Sequence, residues 1–146
     1  MPIKTFRGLI ADGGQDTIVL HTNTGSTGYR IVKFQGFPET PGTTAYEHVI
    51  KIYKVEQSAV DGVMDFSNNT LLAAMYIEGD YQLSSSDQHT VLFDREIFNQ
   101  DIYITHIDVN GALACNYYIE LEQVKLDLNE NTVATLKDIR NSTEPV

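Results

Sequence analysis

The sequence has little of what cross-links many small proteins or holds them on charged surfaces. Its 146 residues contain one cysteine, Cys115, and no tryptophan. A single cysteine excludes an intramolecular disulfide, so the sequence predicts a domain that folds unaided in a reducing compartment. A lone cysteine is most often a small buried hydrophobic residue, and we predict that role for Cys115.

Positive charge and long apolar runs are also scarce. Ten Lys and Arg residues stand against 20 Asp and Glu residues, for a net charge of −10. Such a chain repels phosphate backbones and anionic lipids, which argues against nucleic-acid and membrane partners. No apolar run reaches the ~18 residues that a spanning helix needs, and residues 1–7 lack the apolar core of a signal peptide. We expect a soluble protein made in the cytoplasm.

What the sequence does contain is β-strand alternation. The longest such signal is Asn116–Leu126, in which Ile119 and Leu121 alternate with Glu120 and Glu122. An aromatic, β-branched start followed by a period of two is typical of a half-buried antiparallel strand. We therefore expect this strand to be central to the sheet that contains it.

Shorter strand patterns recur every 8–15 residues. With the long strand they number about eight or nine, which predicts an all-β chain: an antiparallel β-sandwich or jelly-roll-like fold in a single domain, 1–146. Helical spacing of Leu128, Val133, Leu136 and Ile139 predicts a short C-terminal helix over 128–140, followed by a frayed tail over 141–146. The other predicted strands are Ile3–Ala11, Thr17–Thr22, Tyr29–Phe34, Glu47–Val55, Thr70–Ile77, His89–Phe93 and Asp101–Ile107.

Two turn signals predict hairpins. Asp12-Gly13-Gly14 is expected to join the first two strands, because glycine reaches positive φ without a clash. Asn110-Gly111 is the commonest signature of a type I′ turn and is expected to pair Asp101–Ile107 with the long strand.

Two further predictions concern the chain between strands. Pro38 and Pro41 predict a surface loop over Gly36–Gly42, because each proline removes a backbone N–H donor from the sheet. In the region 94–100, Ile97 and Phe98 are expected to close one end of the core.

Four histidines, His21, His48, His89 and His106, are spread over predicted strands. Two or three of them could converge on a metal, as a cupin-like protein would require. The sequence has no His-x-His pair, however, and that spacing is the one that puts two imidazoles on the same face of a strand. We therefore predict no metal site and no cofactor, with a cupin-like metal-binding protein as the least favoured alternative.

No catalytic signature is present. There is no Gly-x-Ser-x-Gly elbow, and Asp108-x-Asn110-Gly111 lacks the downstream Glu of a calcium loop. Glu120 and Glu122 share an outward strand face, whereas glycoside hydrolysis needs two carboxyl groups flanking a cleft. We predict no catalytic residues and a non-enzymatic protein.

Aromatic composition leaves two binding roles open. Eight tyrosines and six phenylalanines suit a module that assembles through protein contacts, because such side chains are enriched at interfaces. Carbohydrate binding is the alternative. It would need Tyr46, Tyr76 or Tyr81 to replace the missing tryptophans as exposed platforms.

Several segments together resemble a recurrent small protein of marine tailed phages, especially cyanophage-like viruses. The similarity runs from about Thr17 to Arg140, and its segments are specific for a family and not for a mechanism. They are Ile18–Asn23 with Thr27–Arg30, Lys51–Val55, Leu71–Ala74, Ile97–Ile102 and Cys115–Glu122.

The resemblance implies a virion-associated structural protein, for instance a head decoration, neck or tail component, made in the host cytoplasm. It carries over no catalytic residues. Its expected partners are further copies of the chain, as a homo-oligomer, and other virion proteins. An exposed edge strand or the 128–140 helix would provide the contact.

Overall fold

Two antiparallel sheets make up the computed structural model, which describes residues 2–41, 45–79, 87–93 and 96–126. One sheet has three strands in the order β1-β8-β3, and the other has five in the order β2-β7-β4-β5-β6. The predicted β-sandwich is confirmed. The strands are β1 (Ile3–Ile10), β2 (Gln15–Ile18), β3 (Thr27–Pro38), β4 (Tyr46–Tyr53), β5 (Leu71–Gly79), β6 (Asp87–Leu92), β7 (Ile102–Asp108) and β8 (Cys115–Lys125).

The long strand β8 is the centre of the three-stranded sheet. It pairs with β1 along one edge and with β3 along the other. Its odd-numbered residues up to Leu121 are buried, and the intervening even-numbered residues are half-buried. The alternation seen in the sequence therefore corresponds to a core-facing and a solvent-facing side, as expected.

The core lies between the sheets and is closed at one end by Phe98. This side chain is 1% exposed, and its backbone exchanges two hydrogen bonds with Tyr29, of 2.8 and 3.0 Å. The prediction that Phe98 closes the core is confirmed, while Ile97 is half-buried. The fully buried apolar side chains elsewhere in the core come from both sheets and include Ile50, Ile52, Met75, Ile102, Ile104, Ile119 and Leu121.

Both predicted hairpins are wrong. β1 pairs with β8 and β2 pairs with β7, so the Gly13 turn carries the chain from one sheet to the other. The turn itself is present, because Gly13 has φ +78° and the Gly14 N–H donates to the Ala11 carbonyl at 2.9 Å.

The connection after β7 also crosses between sheets, since β7 pairs with β4 and β2 whereas β8 pairs with β1 and β3. A type I′ turn needs positive φ at both central residues, and the positive-φ glycines of the described chain are Gly13 and Gly25. Gly111 is not among them. The Asp108 carboxylate organises this connection instead, by accepting N–H bonds from Asn110 and Leu113 at 3.1 Å each.

Strand β3 differs from its prediction in length and in facing. It continues through Gly36, Phe37 and Pro38, which were predicted to lie in a loop. A bulge between Ile31 and Lys33 shifts the register. As a result Phe34 joins Tyr29 and Ile31 in the core, although simple alternation placed it on the opposite face.

The predicted C-terminal helix over 128–140 and the tail over 141–146 lie outside the described residues. Tyr81 also lies outside them. In the described part of the chain, no helix is long and apolar enough to cross a bilayer.

Candidate functional site

The outer face of the three-stranded sheet carries exposed and half-buried basic, aromatic and amide side chains in register. Arg7 lies opposite Tyr118, which lies opposite Gln35, and the next row is Leu9, Asn116 and Phe37. These residues line a shallow concavity of about 760 Å³. We call this surface the basic–aromatic face and define it by Arg7, Leu9, Lys33, Gln35, Phe37, Asn116 and Tyr118.

Charges on this face are only partly paired. Arg30 forms an ion pair with Glu122 beside the concavity. The Lys33 ammonium lies 5.9 Å from the Tyr118 ring centroid, within cation–π range. Tyr118 donates to Glu120 at 2.7 Å, and this bond to a carboxylate raises the pKa of the phenol. Glu120 and Glu122 thus point outward, as predicted, and their partners are side chains of the same sheet.

The opposite side of the sandwich is acidic. The connection between β4 and β5 covers the outer face of the five-stranded sheet, where it encloses a cavity of about 410 Å³. Lys51 of β4 anchors this connection to the sheet. Its side chain is buried, at 2% exposed, and donates to Asp61 at 3.2 Å and to the Val63 carbonyl at 2.6 Å. We call this surface the acidic face and define it by Glu47, Glu56, Asp61, Asp65 and Glu78.

Like charges are adjacent on the acidic face. Glu47 and Glu78 lie directly opposite each other in the register of β4 and β5, an arrangement that is destabilising without a partner. Tyr76 lies on the same face, two positions before Glu78 on β5 and opposite Val49 of β4. Burial and the two negative charges raise the pKa of its hydroxyl.

A third feature is buried between the sheets, where His48 of β4 and His106 of β7 meet. Both side chains are fully buried, and His48 Nδ1 lies 2.8 Å from His106 Nε2. Cys115, the first residue of β8 in the facing sheet, is equally buried, and its Sγ lies within 4.8 Å of a nitrogen of each imidazole. We call His48, His106 and Cys115 the His–Cys centre.

The hydrogen bonds assign the protons of the two imidazoles. The Ala11 carbonyl can only accept, so His106 Nδ1–H donates to it at 3.1 Å. His106 Nε2 then carries a lone pair and accepts from His48 Nδ1–H. His48 Nε2 is left with a lone pair that is buried and has no hydrogen-bond partner in the described chain.

Burial sets the titration of this centre. It lowers the pKa of His48 to about 4, with a further contribution from the neighbouring His106. It also lowers the pKa of His106 and raises the pKa of the Cys115 thiol to about 12. Although burial opposes it, bonds from the Glu47, Leu113 and Asn110 N–H groups hold the pKa of Asp108 below its usual range.

The structure therefore brings together two of the four histidines. His21 is exposed and bonds to Asp101 at 2.7 Å, and His89 is exposed on the edge strand β6. Cys115 is buried, as expected. The tyrosine platforms named for carbohydrate binding are not confirmed, since Tyr46 is 3% exposed and stacks on His48 at 4.9 Å.

Sequence reasoning missed both the His–Cys centre and the basic–aromatic face. His48 and His106 are 58 residues apart and meet only because β4 pairs with β7. The alternation of β8 alone could have predicted that Tyr118 faces outward. That Arg7 and Gln35 lie beside it could not be predicted without knowing how β1 and β3 pair with β8.

No family model and no curated protein matches the chain. Among solved structures, it is similar to a chain described under "Bacillus endospore appendages form a novel family of disulfide-linked pili". The identity is 13%, the match covers 86% of this chain and 89% of that chain, and the TM-score is 0.37. A likeness at this level assigns no function.

Proposed function

We propose that this protein is a non-enzymatic structural module that assembles with further copies of itself through its two outer faces. In keeping with the phage resemblance of its sequence, we propose that it does so as a virion component. The observation that carries the assembly is the contrast between the basic–aromatic face and the acidic face, which lie on opposite sides of the same sandwich.

The contrast arises because, among the described residues, the exposed basic side chains lie on one sheet. In the described chain, Lys51 and Lys54 of the five-stranded side are buried and bonded to Asp61 and Glu96. The other described basic residues, Lys4, Arg7, Arg30, Lys33 and Lys125, all lie on β1, β3 and β8. Of the acidic residues, only Glu120 and Glu122 lie on these three strands.

Opposite faces of opposite character favour a head-to-tail contact. In such a heterologous contact the two copies use different surfaces, and repetition gives a ring or an open filament. The exposed aromatic Phe37, at 56%, supplies apolar area on the basic–aromatic face. Val63, Met64 and Phe66 do the same beside Asp61 and Asp65 on the other side.

Reversing two charges on the basic–aromatic face tests the proposal. We expect wild-type protein to associate reversibly in sedimentation velocity and to dissociate as salt screens the charges. Arg7→Glu/Lys33→Glu should weaken association at least about ten-fold, because like charges then face each other across the contact. Mixing this variant with Glu56→Lys/Glu78→Lys should restore association between the two variants.

The matched control is Lys4→Glu/Lys125→Glu, which makes the same change in net charge on strands β1 and β8. Lys4 and Lys125 lie near the ends of their strands. In the alternation of each strand they fall on the core-facing side, and they are therefore outside the basic–aromatic face. The control should associate like the wild type. A wild type that stays monomeric at every concentration and salt level, or equal weakening by both double variants, would contradict the proposal.

Carbohydrate binding is a second candidate, because Tyr118 and Phe37 flank Asn116, Gln35 and Arg7 in the shallow concavity. Aromatic rings beside amide and guanidinium groups are the combination that stacks on and hydrogen-bonds to sugars. Tyr118→Ala would then abolish retention on a panel of immobilised oligosaccharides. Under the assembly proposal, wild-type protein is not retained on that panel.

A further inference from the structure

The His–Cys centre has the composition of a metal site. It places two imidazoles and one thiol in the space between the sheets, with the candidate ligand atoms all within 4.8 Å of one another. Imidazole and thiolate together favour borderline or soft transition-metal ions over Mg²⁺ and Ca²⁺, which prefer oxygen ligands. The chemistry of the donors therefore restricts the candidates to ions such as Zn²⁺ and copper.

A second observation is independent of this composition. His48 Nε2 is fully buried, carries a lone pair and has no hydrogen-bond partner in the described chain. An unsatisfied buried polar atom is costly and rare in native proteins. The pair thus contains more acceptor capacity than the surrounding protein satisfies, which is expected of side chains that serve a ligand.

The separations suit a modest rearrangement. Zn–N bonds of about 2.0–2.1 Å and Zn–S bonds of about 2.3 Å place tetrahedral ligand atoms about 3.3–3.7 Å apart. His106 would bind through Nε2, because its Nδ1–H is held by the Ala11 carbonyl, and His48 through its unpartnered Nε2. The present bond between His48 Nδ1 and His106 Nε2 is then given up. The candidate ligand atoms already lie within 4.8 Å of one another, so the widest separation would close by about 1 Å.

Residues outside the His–Cys centre orient its two imidazole rings. His106 Nδ1–H donates to the Ala11 carbonyl, which is the kind of outer bond that orients metal-bound histidines and raises their basicity. Tyr46 stacks on the ring of His48. Both imidazole planes are therefore fixed by residues outside the centre.

We propose that His48, His106 and Cys115 bind one thiophilic transition-metal ion, Zn²⁺ or copper, between the two sheets. Because the centre is buried, the ion enters as the chain folds, so binding stabilises the folded state. This inference does not depend on assembly through the outer faces.

The test is to refold the chain, under anaerobic reducing conditions, with Co²⁺ as a spectroscopic probe. We expect one equivalent of Co²⁺ per chain and a thiolate-to-cobalt charge-transfer band, which reports ligation by Cys115. Zn²⁺ and Cu⁺ added separately should displace the cobalt, and the one that competes at lower concentration identifies the preferred ion. Cys115→Ser should remove the band, and His48→Gln should weaken binding at least about 100-fold.

His89→Gln is the matched control, since His89 is an exposed histidine on β6, and it should bind Co²⁺ as tightly as the wild type. Loss of binding in Cys115→Ser and His48→Gln counts only where circular dichroism shows a folded sheet. For a variant that does not fold, the charge-transfer band of the wild type decides the question. Refolded wild type without that band, or with equal binding in folded Cys115→Ser, would overturn the proposal.

Discussion

Metal-free protein should lose about 3 kcal/mol of its free energy of unfolding between pH 6.5 and pH 4, because of His48. An unfolded histidine binds a proton below about 6.5, whereas burial keeps His48 neutral in the folded state until about pH 4. In this window the unfolded state binds more protons, so stability falls as the pH falls. His106, whose pKa is also lowered, adds a loss of the same sign.

The carboxyl groups of Asp61, Asp101 and Asp108 do not produce this loss. The pKa of Asp108 is lowered below 3.8 in the folded state, as are those of Asp61 and Asp101. These carboxylates stabilise the folded state fully at any pH above their pKa in the unfolded chain. The stabilisation is lost only as the pH falls below that pKa. A loss of stability between pH 6.5 and pH 4 has the sign expected of the two buried imidazoles.

Urea unfolding in the presence of a chelator, at several pH values in this window, measures the effect. His48→Gln keeps a donor for His106 Nε2 but cannot titrate, so its free energy of unfolding should change less with pH than that of the wild type. Exposed His89→Gln should keep the wild-type dependence. An unchanged pH dependence in His48→Gln would contradict the neutral state of buried His48.

The sequence predicted local features well where a strand's own alternation determines which side is buried. β8 is the clearest case, since Ile119 and Leu121 are fully buried and Glu120 and Glu122 face outward. β4, β5 and β7 also lie close to their predicted positions. In these segments the pattern and the burial depend on residues only one or two positions apart.

Pairing between strands was not predictable in this way. Asn110-Gly111 has the composition of a hairpin turn, yet the chain crosses there to the other sheet. The Asp108 carboxylate accepts from the N–H groups of Asn110 and Leu113 in this connection. Turn composition specifies a local conformation and not the partner strand. The His–Cys centre depends on the same long-range pairing and was therefore invisible in the sequence.

Gly36 shows how packing between sheets overrides a local signal. Beside Phe37 and Pro38 it suggested a loop, but it lies in β3, where a Cβ would come within 2.6 Å of Met75 Sδ and 2.8 Å of an Ile77 methyl. A glycine is needed there because the facing sheet approaches closely. Only the packing of β3 on β5, from distant parts of the chain, distinguishes this role from that of a turn.

Replacing Phe98 by alanine should destabilise the domain by about 3–5 kcal/mol, the usual cost of removing a buried phenylalanine side chain. Phe98 is 1% exposed and stacks beside Tyr29 with ring centroids 6.4 Å apart. Two backbone hydrogen bonds join Phe98 to Tyr29 of β3. The substitution therefore opens a cavity in the core beside β3.

Phe66→Ala is the matched control, because it removes the same atoms from a side chain that is 56% exposed. It should cost less than about 1 kcal/mol, chiefly through the lost edge contact with Phe93 at 5.4 Å. Phe98→Leu should fall between the two, since it fills part of the cavity. If urea unfolding gives similar losses for Phe98→Ala and Phe66→Ala, Phe98 does not close the core, because equal losses mean that its burial contributes no more than an exposed ring.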